Sequence, residues 1–186
     1  MQTIWIVSAV AALIVIFVIL IFNRLIRGRN LVREGWSGID VQLRRRSDLI
    51  PNLVEIVKGY ASHEHTLFED IAAKRTSAMA AGGVSAKGAA EQALQGSLGR
   101  LFAVAEAYPD LKANQNFLAL QNQMSELEDQ LQMARRYYNG TVRDYNIGIQ
   151  TFPDMLIARL FGFHEENFFQ IDAASAAAPN VSFPGA

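Results

Sequence analysis

The segment LRRRSDLIPNLVE, residues 43–55, decides how this chain is built. Three consecutive arginines lead into an apolar stretch that Pro51 interrupts. Such a segment can bind nucleic acid or acidic lipid, form a turn between two helices, or lie within one long, kinked helix. A proline removes one helical hydrogen bond and disfavours helical geometry at the residue before it. A turn in which Ser47 or Asp48 caps a new helix is therefore one interpretation.

The spacing of the apolar residues favours a single helix instead. Steps of four and three residues alternate through the segment without a phase shift, which is typical of a coiled-coil or bundle seam. No glycine or asparagine that could form a left-handed C-cap comes directly after Arg46. We therefore predict one helix near residues 30–77, kinked at Pro51. Its seam consists of Val32, Trp36, Ile39, Leu43, Arg46, Ile50, Leu53, Val57, Tyr60, Glu64, Leu67 and Ile71, of which Arg46 and Glu64 are charged.

The three arginines are not expected to bind nucleic acid. At about 100° per residue they spread over roughly 200° of the helix surface, so they cannot all face one phosphate backbone. Aromatic residues that would stack on bases are missing between them, and the whole chain has a net charge of −1. We expect Arg46, on the seam, to pair with an acidic residue of a neighbouring helix. The candidates are Glu126, Glu128 and Asp129.

Two further segments, near residues 89–108 and 113–151, show the same helical spacing. Between the first two helices, residues 80–90 (AAGGVSAKGAA) are small, glycine-rich and aperiodic, so we predict a flexible loop. Pro109 and Asp110 mark the point where one helix should stop and the next begin. The shorter seam consists of Leu94, Leu98, Leu101, Ala105 and Tyr108, and the longer one of Phe117, Leu120, Met124, Leu127, Leu131, Ala134, Tyr138, Thr141, Tyr145, Gly148 and Phe152.

Residues 4–22, IWIVSAVAALIVIFVILIF, predict a helix that spans a membrane. They carry no charge and would extend about 28 Å as a helix, close to the thickness of the hydrocarbon core of a bilayer. A cleavable signal peptide is disfavoured because residues 1–3 have no basic side chain and no small-residue cleavage site follows. The positions expected in the membrane include Ile4, Trp5, Leu13, Phe17 and Phe22.

Four arginines follow the apolar segment: Arg24, Arg27, Arg29 and Arg33. By the positive-inside rule they place the N-terminus outside and the body of the protein in the cytoplasm, with the arginines beside the lipid head groups. The chain is therefore predicted to be all-α, with a single N-terminal transmembrane helix and an antiparallel bundle of long helices of the four-helix-bundle type. We expect an anchor at residues 1–23, a cytoplasmic bundle at 24–172 and a mobile, low-complexity tail at 173–186.

The apolar segment at residues 154–169 predicts a short helix near the end of the bundle. It could close an open end of the bundle or lie in the membrane interface. We expect the closing role, because Asp154, Glu165 and Glu166 do not suit an anionic surface.

Motifs of enzyme chemistry are sparse. His63 and His65 are two residues apart, whereas a zinc-binding helix needs histidines at i and i+4. The chain has no cysteine, no glycine-rich phosphate loop and no nucleophile elbow. Glu64 alone could be a metal ligand in a bundle, but a second such site is missing. We expect a protein that is not an enzyme and has no cofactor, no metal and no small-molecule substrate.

Several long motifs resemble the LemA family: NRLIRGRNLVREGWSGIDVQLRRRSDLIPNLVEIVKGYASHE, AEAYPDLKANQNFLALQ, ARRYYNGTVRDYNIGIQTFP and FGFHEENFF. Together they run from about Asn23 to Phe169. The resemblance implies one N-terminal membrane helix followed by a bundle of the four-helix type, in a bacterial inner membrane, and it supplies no catalytic residue. Some relatives are linked with the shaping of bacterial membranes. The motif residues expected to serve as turn, cap or packing positions are Asp48, Pro51, Asn52, Tyr108, Pro109, Tyr138, Asn139 and Asn146.

These features lead to two main functional hypotheses, beside a third in which the protein is a metal-dependent enzyme. In the first, the bundle is a scaffold that contacts the lipid bilayer and associates with further copies of itself, thereby organising or bending the membrane. In the second, it is a tethered adaptor that recruits an unidentified soluble protein for signalling or proteolysis. Neither hypothesis involves nucleic acid.

Overall fold

The computed structural model describes residues 1–170. Over that range the chain forms helices and no β-strand, so the predicted all-α class is confirmed. The mobile tail expected at residues 173–186 lies outside the described residues. The helices are α1 (Gln2–Tyr60), α2 (His65–Ala80), α3 (Val84–Glu106), α4 (Pro109–Lys112), α5 (Gln115–Gln150) and α6 (Asp154–Leu160).

The chain divides into two compact units. The first combines Met1–Leu43 with Leu127–Phe168, and the second combines Arg44–Glu126 with the described residues after Phe168. The long helices α1 and α5 contribute residues to both units. Because α1 runs unbroken past residue 23, the boundary between anchor and body stays a prediction.

Most seam residues read from the sequence lie on the buried faces of the helices, but Tyr60, at the end of α1, and Phe152, just after α5, are exposed. On α1, every apolar seam residue from Val32 to Val57 is buried except Trp36, which is half-buried. In the second unit, this face packs with residues of α2 to α5 in one apolar cluster. That cluster includes Ile50, Leu53, Val57, Leu67, Ile71, Leu94, Leu98, Leu101, Leu111 and Phe117. In the first unit the buried residues include Leu25, Val32, Ile39, Leu131, Tyr138, Val142 and Tyr145.

Pro51 lies inside α1, so the prediction that the helix continues through Pro51 is confirmed and a turn at this point is wrong. Pro51 has no N–H to donate to the carbonyl of Ser47, four residues earlier. The Nε of Arg75, on α2, donates to that carbonyl instead, at 2.8 Å. The backbone acceptor that proline leaves without its usual donor is therefore satisfied from another helix. Asp48 is exposed and caps no helix.

The prediction of one helix over residues 30–77 is wrong, because this part of the chain forms two helices. The first, α1, ends at Tyr60, and α2 begins at His65. Arg75 contacts Ser47, so α2 runs back along α1. The four linking residues are close to one helical turn in number, so the four-three spacing continues across the break and cannot reveal it. Glu64 lies in this link, where its carbonyl accepts the N–H groups of Leu67 and Phe68 at 3.1 and 3.2 Å.

The predicted flexible loop at residues 80–90 is also wrong over most of its length. Only residues 81–83 connect α2 to α3, and Gly83 adopts a positive φ of 78°. The buried Lys87 donates to the carbonyl of Ala78 at 2.8 Å. A Cβ on Gly88 would lie 2.5 Å from the carbonyl oxygen of Gln170. Gly83 therefore allows the turn between α2 and α3, and Gly88 allows the backbone of α3 to lie close to that of Gln170. Composition alone suggested that both glycines lie in a flexible loop.

The boundary predicted at Pro109 and Asp110 is confirmed, since α3 ends at Glu106 and α4 begins at Pro109. Tyr108 is the N-cap residue of α4, and Pro109 occupies its first turn, where a missing N–H costs little. The next helix, α5, is capped by the side chain of Asn114. Its Oδ1 accepts the backbone N–H groups of Asn116 and Phe117 at 2.9 and 3.1 Å.

Candidate membrane-proximal site

Aromatic side chains of the first unit gather where the apolar segment of α1 ends. The ring of Phe22 packs edge-on against Phe161 at 4.9 Å and against Phe163 at 5.7 Å, measured between centroids. The guanidinium of Arg29 lies 5.1 Å from the centroid of the Phe163 ring, within the range of a cation–π interaction. We call Phe22, Phe161 and Phe163 the aromatic cluster. It holds the residues after α6 against α1.

An ion pair lies beside this cluster. Arg24 donates to both carboxylate oxygens of Asp154, the first residue of α6. The side chain of Asp154 is 5% exposed, whereas that of Arg24 is 66% exposed. A carboxylate that is removed from water needs such a partner. Arg24 was predicted to face lipid, and the structure also gives it this second role.

The remaining predicted arginines differ in burial. Arg27 and Arg33 are exposed, and Arg29 is half-buried beside Phe163. A cleft of about 190 Å³ opens between Arg24, Gly28, Tyr145 and Asp154. Ligand pockets are usually about 300–1,000 Å³, so this cleft is smaller than a small-molecule site.

Two polar side chains of α5 hold the segment that follows α6. The hydroxyl of Tyr138 donates to the carbonyl of Asn167 at 2.7 Å. The Asn146 amide donates to the carbonyl of Glu166 and accepts its N–H, both at 2.9 Å. Burial and then the charge of Glu166 raise the pKa of Tyr138 to about 12. The packing role expected for Tyr138 and Asn146 is therefore visible as hydrogen bonds.

Tyr145 also lies in this part of the first unit. Burial raises its pKa, the charge of Glu166 raises it further, and the nearby Arg29 partly opposes the rise. Gly28 packs against the Tyr145 ring, and Gly35 packs against Tyr138. The small residues of α1 thus let α5 approach closely.

In the second unit, Arg46 donates to the carboxylate of Glu91 on α3. The two side chains are 3% and 4% exposed. Sequence reasoning expected an acidic partner for Arg46 but did not name Glu91 among the candidates. A signal was present, because extending the seam from Leu94 backwards in steps of three and four residues reaches Glu91 and then Lys87. Both of these residues are buried.

The remaining positions named from the sequence are half-buried or exposed. Glu64 is half-buried in the link before α2, and Asn52 and Pro109 are exposed. His63 and His65, beside Glu64, are exposed. No group of three or more histidine or carboxylate side chains is placed to hold a metal ion within residues 1–170.

Most apolar residues of the segment predicted to cross a membrane are exposed. Phe22 is half-buried, whereas the four earlier positions project from α1. Within the described range, α1 alone is long and apolar enough to cross a membrane, judged by length and composition. The exposed fractions are 69% for Ile4, 76% for Trp5, 65% for Leu13 and 51% for Phe17.

Residues 35–183 match the sequence model of the LemA family, and the chain belongs to that family. Among curated relatives, it is 29% identical to magnetosome protein MamQ 2 of Paramagnetospirillum magneticum over 160 residues, covering 72% of this chain and 59% of the relative. It is 26% identical to magnetosome protein MamQ of Magnetospirillum gryphiswaldense, covering 72% and 58%. Protein LemA of Metamycoplasma hominis is 26% identical, covering 80% and 68%.

The chain thus spans about three fifths of the length of the MamQ relatives. Family membership, these relatives and the apolar helix α1 together indicate a membrane-associated helical protein.

Proposed function

We propose that this chain is a non-enzymatic, single-pass protein of the bacterial inner membrane and that its helical body is a scaffold. Copies of it associate with one another, and they organise or shape the bilayer in which they are anchored. The observation that carries the proposal is the unbroken helix α1, which continues from an exposed apolar segment into the packed body. The apolar segment and the part of α1 that enters the core belong to one continuous helix, without a flexible linker between them. Force on either part is therefore transmitted to the other.

The anchoring step has a sharp test in Leu13, at the centre of the apolar segment. An arginine at the centre of a membrane helix costs roughly 2.5–3.5 kcal/mol of insertion free energy. We expect Leu13→Arg to shift the full-length protein from the membrane fraction to the soluble or aggregated fraction. Val41→Arg is the matched control, because Val41 is also exposed on α1 but lies outside the apolar segment. Equal membrane retention of both variants contradicts the anchor.

Orientation is tested separately, with reporters fused to the C-terminus. A reporter that fluoresces only in the cytoplasm is expected to be active, and a phosphatase that folds only outside it is expected to be inactive. The opposite result would reverse the proposed topology, which rests on Arg24, Arg27, Arg29 and Arg33.

Scaffolding is tested by imaging the full-length protein in lipid vesicles together with its mass in detergent. We expect oligomers and a change in vesicle curvature that depends on protein density. Protein that stays monomeric in both media and leaves vesicles unchanged contradicts the proposal. Under that outcome, a soluble partner recovered by proximity labelling would favour the adaptor hypothesis.

A further inference from the structure

The exposed side of α6 is unusually apolar for a surface helix. Phe152 just before the helix is 72% exposed, Leu156 is 55% exposed and Leu160 is 75% exposed. The opposite side of the same helix carries Asp154 and Ala158, which are buried. Since residues four apart share one face of a helix, Leu156 and Leu160 form an outward-facing apolar stripe.

The position of this stripe along α1 follows from the aromatic cluster. Phe161 and Phe163 both contact Phe22, the last residue of the apolar segment. Asp154, at the other end of α6, pairs with Arg24, two residues further along α1. Both ends of α6 are thus held where the membrane-spanning segment stops, at the level of the lipid head groups and upper acyl chains.

The charge of this surface suits an anionic bilayer. The sequence suggested the opposite because Asp154, Glu165 and Glu166 are acidic, but the carboxylate of Asp154 is buried against Arg24. Arg159 is exposed on α6, and Arg27, three residues after Arg24, is exposed on α1. Cationic side chains near an anionic leaflet contribute about 1 kcal/mol each. Glu165 lies beyond the stripe and accepts a hydrogen bond from Gln150 at 2.8 Å.

We propose that α6 and the residues beside it form a second membrane-binding surface, in which Phe152, Leu156, Leu160 and Phe161 insert into the interface of the lipid bilayer. Lipid is the occupant because the stripe continues the exposed apolar surface of the anchor through Phe22 and Phe161. The first unit then contacts the bilayer at two places, the spanning helix and the interfacial helix. This inference rests on the proposed anchor, since α6 reaches the interface only if residues 4–22 span the membrane.

An interfacial apolar helix beside a spanning helix also deepens the scaffold proposal. Side chains that insert to a shallow depth into one leaflet expand the head-group layer of that leaflet relative to the head-group layer of the other leaflet. Binding strength of such a helix grows with its buried apolar area and responds to membrane curvature and lipid composition. The stripe is therefore a means by which this chain both senses and alters the shape of the membrane.

The test uses single nitroxide labels on the full-length protein in vesicles of phosphatidylethanolamine and phosphatidylglycerol. The chain has no cysteine, so each label has one attachment point. Leu156→Cys reports on the stripe, and Phe17→Cys reports on the anchor. Met133→Cys is the matched control, because Met133 on α5 is 55% exposed, as Leu156 is. Pairing of Gly28 with Tyr145 and of Gly35 with Tyr138 places Met133 about 27 Å along α1 from Phe22.

The measurement is the collision rate of each label with oxygen, which concentrates in lipid, relative to a neutral nickel chelate, which stays in water. We expect oxygen to dominate at Phe17→Cys and Leu156→Cys and the chelate to dominate at Met133→Cys. Leu160→Cys should repeat the result of Leu156→Cys. Dominance of the chelate at Leu156→Cys, with oxygen dominant at Phe17→Cys, overturns the second surface and leaves the anchor.

Two other outcomes also overturn the inference. Dominance of the chelate at Phe17→Cys removes the anchor and the second surface with it. Low collision rates with both reagents at Leu156→Cys, together with spin–spin broadening, would show that another copy of the chain covers the stripe in place of lipid.

Discussion

Each compact unit contains a buried carboxylate that pairs with an arginine of another helix, and the two pairs differ in the burial of the arginine. Arg46 and Glu91 of the second unit are both almost fully buried. In the first unit, Asp154 is buried but Arg24 is largely exposed. Both pairs join a guanidinium to a carboxylate, but water reaches the guanidinium of Arg24 and not that of Arg46. Buried charges cannot be re-hydrated when their partner is lost, so the energetic weight of such a pair follows its burial.

The largest effect is expected at the buried pair. Glu91→Ala removes a carboxylate from a guanidinium that is 3% exposed, and removal of one partner of a buried pair costs about 3–5 kcal/mol of unfolding free energy. Urea unfolding followed by circular dichroism in detergent measures the loss. Glu69→Ala, at an exposed position on α2, is the control. A loss at Glu91 no larger than at Glu69 would remove the distinction between the two pairs. The double variant Arg46→Met with Glu91→Leu should regain much of the stability.

A smaller effect is expected at the carbonyl that Pro51 leaves without its usual donor. Arg75→Ala removes the donor to the Ser47 carbonyl, and an unsatisfied buried polar group costs about 1–3 kcal/mol. In a Pro51→Ala background the backbone N–H of residue 51 becomes available to that carbonyl. The cost of Arg75→Ala should therefore be lower in that background. Equal costs in both backgrounds would show that Arg75 acts through packing alone.

The first unit contains a comparable bond to a backbone carbonyl. Tyr138→Phe removes the donor to Asn167, and we expect a loss of about 1–2 kcal/mol. Tyr137→Phe is the control, since Tyr137 is 49% exposed. Hydrogen exchange of the segment after α6 should accelerate in the first variant only. Unchanged exchange there contradicts the claim that Tyr138 holds that segment.

The pH dependence of the stability of the wild-type protein tests the role of Tyr138 in a second way. The folded pKa of Tyr138 is raised from 10.0 to about 12, so the unfolded state ionises first as the pH rises. Its stabilising contribution is complete below pH 10 and is lost as the pH rises through the folded pKa. Tyr138→Phe should unfold with a shallower pH dependence in that window. An identical alkaline profile for the two proteins contradicts the assignment.

The smallest effect is expected at the exposed pair. Arg24→Ala opens the carboxylate of Asp154 to water on the side that the guanidinium covered, so we expect a loss below about 1 kcal/mol. At about 1 M salt the Debye length falls to about 3 Å, and the difference from wild type should shrink further. The cost of Glu91→Ala should change little with salt. A large, salt-independent cost at Arg24 would mean that burial of one partner is enough.

Much of the fold could be predicted from local spacing. The α1 seam from Val32 to Val57, the α5 seam from Phe117 to Tyr145 and the boundary at Pro109 all lie where hydrophobic periodicity and capping residues place them. The break after Tyr60 could not, because its length preserves the register. The helical start of α3 was missed because glycines that allow close approach look the same in sequence as glycines in a loop.

The candidate site was predicted only in part. The apolar segment and its arginines are visible in the sequence, as is the apolar character of α6. The contact between Phe22 and Phe161 and the pairing of Arg24 with Asp154 join residues more than a hundred positions apart. No spacing rule reaches across that distance, so the burial of Asp154 against Arg24 could not be predicted from the sequence.

Most of the helices, the all-α class and the exposed apolar segment of α1 could be predicted from the sequence, since periodicity, proline position and hydropathy are properties of neighbouring residues. Tertiary structure alone decided which groups satisfy one another. Glu91 neutralises Arg46, Arg75 supplies the donor that Pro51 lacks, and Arg24 covers Asp154. The physical reason is that a buried charge or carbonyl is paired by whichever donor the packing brings within reach, and packing joins residues far apart in the chain.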